Sequence, residues 1–561
     1  MKRNLEKLTK EQFDILVIGG GIHGATIVRE AAARGLKTAL IEQGDFGQAT
    51  SANSQKIIHG GLRYLQQADF KRMRQSITAR RMFMQMAPHL VKPFPFLIPI
   101  YGHGLRGKEA MTAALVINDL LSWDRNRSLP PSNLLPKGKI ISREECLEIL
   151  PHIEKKGLTG GAVWYDGLVV NTERLTLEVI LAASGMDAAI ANYVRAKSLV
   201  IEKGIIHGVE AEDHISHTQF TIHSPWVVNA SGPWLNSLLR DLPNTEPLPI
   251  QWTKGINLII NRLMFPGYGV GLGGGNIPKP SQNQLRKRQR LFFFVPWGGC
   301  TLIGVAYNRY DGDLEQCQME IEDIQKFIDE LNSIYPPGRL TPQEVSFFHF
   351  GLLPVSENQD PADRHPEPDR HSCLIDHKPL MNIKGLVSVK SSKYTTAPLV
   401  AEKVVDMIFS KRKVKAPARW DSINLSSYDK RSLLNELTRI NQGKSGGNQE
   451  NIATHLFQNY GPKSKLIMDY LSKDLEMGRV ISVDPPIMAA EIIHGVREEM
   501  AHKLTDVVFR RTDLGQSRCP SLESLRAASE IMAKELGWDE RRTEEEIQDV
   551  LTVYSPLRDS K

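Results

Sequence analysis

Residues 13–42 read Phe-Asp-Ile-Leu-Val-Ile-Gly-Gly-Gly-Ile-His-Gly-Ala-Thr-Ile-Val-Arg-Glu-Ala-Ala-Ala-Arg-Gly-Leu-Lys-Thr-Ala-Leu-Ile-Glu. Ile15 to Ile18 is a short apolar run of strand character. Residues 22–34 form an Ala-rich helical stretch that Gly35 ends, and Lys37 to Ile41 is a second strand closed by Glu42. Gly19, Gly21 and Gly24 fall on the G-x-G-x-x-G spacing, with Gly20 inside it. Each glycine has a physical task in a dinucleotide-binding βαβ unit. Gly19 allows the tight turn, Gly21 lets a pyrophosphate approach the backbone, and Gly24 lets helix and strand pack closely. The helix N-terminus presents free N–H groups and a positive dipole to the phosphates. Glu42 stands where a carboxylate accepts hydrogen bonds from ribose hydroxyls. A glycine fingerprint alone is weak; here strand, helix, second strand and acid follow in order.

Bulk properties bound the rest. A chain of 561 residues is too long for one core and implies two or three domains. Formal net charge is +6 and pI about 8.8. This mild basicity does not argue for nucleic acid; it suits an acidic substrate or a loose hold on anionic lipid. Cys146, Cys300, Cys317, Cys373 and Cys519 are scattered and form no C-x-x-C pair. That pattern argues against a disulfide framework or a zinc site and fits a reducing, cytoplasmic compartment. The N-terminus has no apolar h-region. The longest uncharged stretch, Leu263 to Pro278, is broken by glycines and prolines. Any membrane contact is therefore expected to be peripheral, on the cytoplasmic face.

Along the chain, residues 44–62 are a small-residue loop ending in Gly-Gly, and residues 68–87 look helical. Pro93, Pro95 and Pro99 mark an edge strand or loop. Ser142 to Leu150 is a short acidic helix, and Trp164 to Val170 begins a strand. Residues 187–230 alternate like strands and end in Trp226-Val-Val-Asn-Ala-Ser-Gly-Pro-Trp234, again suggesting backbone against a cofactor. A second lobe has strand-like runs at Gly255 to Ile260, Leu291 to Pro296 and Thr301 to Ala306. The basic cluster at 286–290 reads as a solvated loop or a lipid or partner contact. Residues 385–410 return to strand, turn and helix, and 411–417 read as a linker. Beyond it the chain is polar and helix-rich, with breaks at Pro485-Pro486 and Gly515. Gly443-Lys444-Ser445 is no phosphate loop, because Thr438 stands where its partner glycine belongs.

Several pieces together resemble the FAD-dependent, quinone-linked glycerol-3-phosphate dehydrogenase family. They are Ala49-Thr50-Ser51, Lys56-Ile-Ile-His-Gly-Gly-Leu-Arg-Tyr-Leu65, Met86-Ala-Pro-His89, Val228 to Trp234, Lys393-Tyr-Thr-Thr396, Val496 to Asp506 and Arg510-Arg511-Thr512. The position of the glycine motif near the N-terminus agrees with FAD rather than NAD, by analogy. The resemblance covers nearly the whole chain in order. It implies an α/β fold: an FAD-binding Rossmann-type domain, a mixed-sheet substrate lobe and a C-terminal helical domain. The flavin module is expected over 1–418, with FAD-binding segments about 1–90, 160–240 and 370–410 and substrate lobe about 91–159 and 241–369; the helical domain follows over 419–561.

Carried over residue by residue, the resemblance implies that Gly19, Gly20, Gly21 and Gly24 hold the pyrophosphate and Glu42 the adenosine ribose. Thr50, Ser51 and Ser54 would line the phosphate and ribityl path, although each serine alone is ordinary turn chemistry. His59, Gly60 and Gly61 would lie along the isoalloxazine, Val194 would meet the adenine, and Gly232 would allow close approach. Arg63, Arg370 and Lys393 would hold the substrate phosphate; Arg suits it through paired, charge-assisted bonds. His59 is the candidate base, or else a packed residue orienting the flavin. Quinone would accept the electrons.

The departures cluster where substrate should sit. Asn257 stands where the family has a histidine, and Gly304-Val305-Ala306-Tyr307 replaces Gly-Thr-Thr-Asp. Leu353 takes an arginine position, and Ser391-Ser392 replaces Gly-Gly. Three expectations stay open: a glycerol-3-phosphate dehydrogenase with a rebuilt pocket, a flavin oxidoreductase for another alcohol or amine, and a catalytically silent flavin-binding partner. Oligomeric state is also open.

Overall fold

Strand Ile15–Ile18 lies inside a six-stranded sheet ordered Cys373–Asp376, Leu386–Lys390, Val227–Asn229, Ile15–Ile18, Thr38–Ile41, Ala189–Ala191. All neighbours are parallel except the edge pair Cys373–Asp376 and Leu386–Lys390. Every residue of Ile15–Ile18 and Thr38–Ile41 is buried, as a strand covered on both faces requires. The computed structural model describes residues 1–104, 107–240, 242, 246–273, 290–356, 363–413, 429–440 and 449–558. The basic run at 286–289, positions 414–417 of the expected linker and Gly443-Lys444-Ser445 lie outside the described residues.

Helix Ile22–Ala33 packs between helices Thr172–Ser184 and Ala397–Arg412. Its small residues allow that approach: Ala25 and Ala31 are fully buried, and the Thr26 hydroxyl donates to the Ala397 carbonyl (3.2 Å). Gly35, at φ +81°, turns the chain into the next strand.

A second sheet runs Val345–Pro354, Trp252–Ile260, Cys300–Tyr310, Leu291–Trp297, Gly269–Gly273, Val91–Tyr101, Leu158–Val169, Ile57–Ile58, with Lys139–Ile141 also paired to Leu158–Val169. It is antiparallel apart from the contact of Gly269–Gly273 with Val91–Tyr101. Two expectations change here. Val91–Tyr101 is an interior strand, not an edge strand or loop. Its three prolines occupy alternate positions, so their missing N–H groups all point to one neighbour. The ladder to Leu158–Val169 runs its full length, while the other side pairs only at Phe96 and Leu97. In addition, Ile57–Ile58 and all but the first two residues of Leu158–Val169 fall within stretches expected for the flavin domain but hydrogen-bond into this mixed sheet.

The C-terminal helices include Lys430–Ile440, Gln449–Tyr460, Ser464–Lys473, Ala489–Glu499, Leu522–Leu536 and Glu540–Val553, with a short hairpin at Pro485-Pro486. They share a core with the mixed sheet: Ile492, Leu504, Val507 and Leu525 pack in one cluster with Ile256, Phe294 and Phe347. Among the described residues no helix is long and apolar enough to cross a membrane.

Candidate active site

The two sheets enclose a cleft of about 3450 Å³. At one end it meets the turn after Ile15–Ile18. Gly19 adopts φ +105°, and a Cβ there would sit 2.6 Å from the Ala230 carbonyl oxygen. A Cβ on Gly24 would lie 1.8 Å from the Gly19 carbonyl oxygen, so helix and turn touch only because both are glycine. Gly21 caps the helix with no such crowding; its nearest neighbour is Ser51 Oγ, 3.1 Å from an added Cβ. Ser51 Oγ accepts the Ile22 N–H (2.9 Å), which ties the small-residue loop to the helix N-terminus. Glu42 accepts the N–H groups of Gly20 (2.6 Å) and Gly44 (2.9 Å). Burial pushes its carboxyl pKa up, against the pull of those bonds.

Gly19, Gly21, Glu42, Thr50, Ser51, Ser54, His59, Gly61, Val194 and Gly232 all line this cleft. Gly20 and Gly24 lie behind the wall, where they fix the turn. Gly60 is not among the residues that line the cleft. A Cβ there would meet the Arg80 guanidinium and Asp166, and its N–H donates to Asp166 Oδ1 (2.6 Å).

His59, Arg63, Arg370 and Lys393 line the same cleft. His59 Nδ1 is 3.3 Å from Asp166 Oδ2. Asp166 is buried and also takes Trp164 Nε1 (3.2 Å) and an ion pair from Arg80. Burial alone would raise its pKa; His59, Arg80 and the Gly60 N–H bring it below the ordinary carboxylate value. A fixed carboxylate on Nδ1 orients the ring and leaves Nε2 as the free nitrogen. Arg63 reaches Glu367 Oε1 (3.4 Å), and Arg370 pairs with the other oxygen of Glu367. Lys393 Nζ donates to the Arg370 carbonyl (2.8 Å) and to the Tyr64 hydroxyl. Burial, with Arg72 and Arg370 nearby, lowers the Lys393 pKa to about 8.

The altered positions lie on the same cleft. Asn257, Val305, Tyr307, Leu353, Ser391 and Ser392 line it, while Ala306 is buried behind. Asn257 donates to the Asn53 carbonyl (3.3 Å), and its buried Oδ1 has no hydrogen-bond partner. Sequence reading missed Asp166, Tyr64, Glu367 and His23. His23 sits in the glycine motif itself, is held neutral by burial with pKa about 4, and leaves Nδ1 without a partner. Its place between motif glycines was the available signal.

The residues present fit a flavin dinucleotide: a glycine-only turn against a helix N-terminus, a buried acid 22 residues beyond the Gly20 N–H it accepts, and a cleft long enough to continue to His59. Among the described residues no cluster could hold a metal. The model of the FAD-dependent oxidoreductase family matches residues 14–407, and that of the C-terminal domain of alpha-glycerophosphate oxidase matches 426–543. A glycerol-3-phosphate dehydrogenase of Synechocystis sp. is 31% identical, covering 97% of each chain. An alpha-glycerophosphate oxidase of Enterococcus casseliflavus is 26% identical over 100% of this chain and 97% of its own. The fold is shared with the crystal structure of a Bacillus halodurans glycerol-3-phosphate dehydrogenase complexed with FAD, at TM-score 0.72, 24% identity and coverage of 98% and 96%. The chain belongs to the FAD-dependent oxidoreductase family, in its glycerol-3-phosphate dehydrogenase branch. It is an enzyme of that type, and its cofactor is FAD.

Proposed function

We propose that this enzyme oxidises sn-glycerol 3-phosphate to dihydroxyacetone phosphate and passes the electrons to quinone, as a peripheral membrane protein. The carrying observation is the meeting of Arg63, Arg370 and Lys393 beside His59 in one cleft. Three cations gathered around the one carboxylate that Arg63 and Arg370 share, Glu367, favour an anionic group such as a phosphate dianion. The names of the relatives support the same substrate. When bound, FAD supplies the hydride acceptor at N5. His59 Nε2 takes the hydroxyl proton, while Asp166 fixes the ring and stabilises its protonated form. The test is anaerobic mixing: glycerol 3-phosphate bleaches the flavin absorbance. A second reading, a less anionic alcohol or amine, is favoured by Val305 and Leu353 on the cleft wall. It prevails if only such a compound bleaches the flavin, and a silent binding protein is what remains if nothing does.

Two results are expected in steady-state assays. Arg63→Ala retains its flavin but lowers kcat/KM about 10–100-fold, the worth of a hydrogen bond to a charged group. Unchanged kinetics would remove Arg63 from phosphate binding. Lys393 must be protonated to hold the dianion, so kcat/KM falls as pH rises past about 8. Lys393→Arg moves that limb upward; a limb that stays put assigns it to another group.

A further inference from the structure

Both oxygens of the Glu367 carboxylate are taken inside the cleft. Arg63 Nη2 donates to Oε1 (3.4 Å), and Arg370 Nη2 donates to Oε2. The two arginines that would receive a substrate's anionic end therefore share a carboxylate of the protein itself. The backbone beside that carboxylate is fixed. Pro368 bridges to Val355, the Asp369 N–H donates to the Pro354 carbonyl (2.6 Å), and Asp369 Oδ1 accepts the His371 N–H (2.9 Å). The Glu367 side chain is the part that can turn away. It is 37% exposed, against 64% for Arg63 and 23% for Arg370.

Exposure decides how firmly it is held. The pair with Arg63 is screened by solvent and contributes little; the more buried Arg370 is the stronger hold. An entering carboxylate would exchange two oxygens for two and gain nothing over Glu367. A phosphate brings a third oxygen and a second charge. Lys393 stands ready for them. Its Nζ directs two of its three N–H bonds to the Arg370 carbonyl (2.8 Å) and the Tyr64 hydroxyl, which leaves one for a ligand.

We propose that Glu367 is the resident counterion of this anion site, a specificity-determining carboxylate that a phosphate displaces and a carboxylate ligand does not. This role rests on the proposed function only in that Arg63 and Arg370 receive the substrate's anionic end.

Inorganic phosphate and acetate are titrated calorimetrically into the FAD-loaded wild-type protein, Glu367→Gln and Glu367→Ala. Phosphate is expected to bind both variants about 10-fold more tightly than wild type, the effect of removing one half-buried competing charge. The KM for glycerol 3-phosphate falls by a similar factor. A variant that merely folds badly loses affinity, so a gain has no such explanation. Acetate should leave wild type unoccupied at concentrations where phosphate saturates it. If phosphate binds the variants more tightly but glycerol 3-phosphate bleaches the flavin of none of the proteins, the proposed substrate falls and the counterion role stands. The counterion role is overturned if phosphate affinity stays within about 2-fold of wild type in both variants. It is equally overturned if both variants keep their flavin and bind phosphate more weakly, since Glu367 would then orient the arginines for the ligand. Acetate that occupies wild type as readily as phosphate also overturns it.

Discussion

Gly24→Ala is expected to purify largely without flavin, its yellow colour lost. The new Cβ would lie 1.8 Å from the Gly19 carbonyl oxygen and 3.4 Å from Val17 Cγ1. Gly19 cannot give way, because it holds φ +105° with the Ala230 carbonyl close on its other side. The helix must therefore shift off the strand, and the turn that faces the pyrophosphate shifts with it. Overpacking of this kind costs about 1–3 kcal/mol, which corresponds to about 10–100-fold weaker FAD binding. The apoprotein should also melt at lower temperature, since the clash is within the protein. Gly21→Ala separates the two effects. Its Cβ meets only the Ser51 hydroxyl, at 3.1 Å, a far milder contact, so apoprotein stability falls less than in Gly24→Ala while FAD binding weakens. A Gly24→Ala protein with full flavin absorbance and an unchanged melting temperature would refute the close-packing argument.

The second large effect lies far from the substrate. Asp45, three residues past Glu42, is wholly buried between two arginines of the C-terminal domain. Arg511 grips it with both terminal nitrogens (2.8 and 2.7 Å), and Arg510 Nε adds a third bond (2.5 Å). Arg510 also reaches Asp506 (2.7 Å), which accepts the Tyr193 hydroxyl (2.7 Å). Asn192 bridges Asp45 to the Met500 carbonyl. Arg511→Met leaves Asp45 with half its partners in a dry site, which costs about 3–5 kcal/mol. Urea titration measures it; a loss below about 1 kcal/mol would show the clasp to be incidental. The loop it holds also carries the Gly44 N–H bonded to Glu42, so FAD should dissociate faster from the variant.

The same clasp sets an acid limit. Burial alone would raise the Asp45 pKa, but Arg511 and Arg510 hold it well below the carboxylate range. Glu499 is lowered in the same way, by Arg174 against burial. A carboxylate whose folded pKa is depressed contributes stability that is complete above about pH 4 and is lost as pH falls further. The melting temperature should therefore drop steeply below about pH 4.

Legibility in the sequence followed distance along the chain. The βαβ unit, the helix at Phe70–Met86 and the capped helix Arg143–Ile149 are short-range patterns, and they could be read. The three prolines at 93–99 misled because proline removes a donor whichever strand it occupies. What rescues an interior strand is the phase of those prolines relative to a neighbour 62–74 residues away. His59 could be nominated from its motif, but Asp166, which makes it a plausible base, is 107 residues distant. Asp166 is a single acid inside an apolar strand, a pattern with no local signature. Gly60 illustrates the converse. Its motif pointed to the flavin, and its lack of a side chain also makes room for Arg80 and Asp166, which the motif did not show. The Arg510-Arg511 pair was visible only as part of a resemblance, and its task could not be guessed because Asp45 lies 466 residues from Arg511.

By itself the sequence determined the nucleotide turn and the dinucleotide class of cofactor, since both are written in the backbone freedom of glycine and the period of apolar side chains over a few residues. Only the tertiary structure decided that Arg63 and Arg370 meet on Glu367 with Lys393 held on the Arg370 carbonyl, that Asp166 stands behind His59, and that the last domain grips the loop after Glu42. Those are contacts between charges brought together by folding. Their energies depend on burial and distance, quantities that a linear order of residues does not contain.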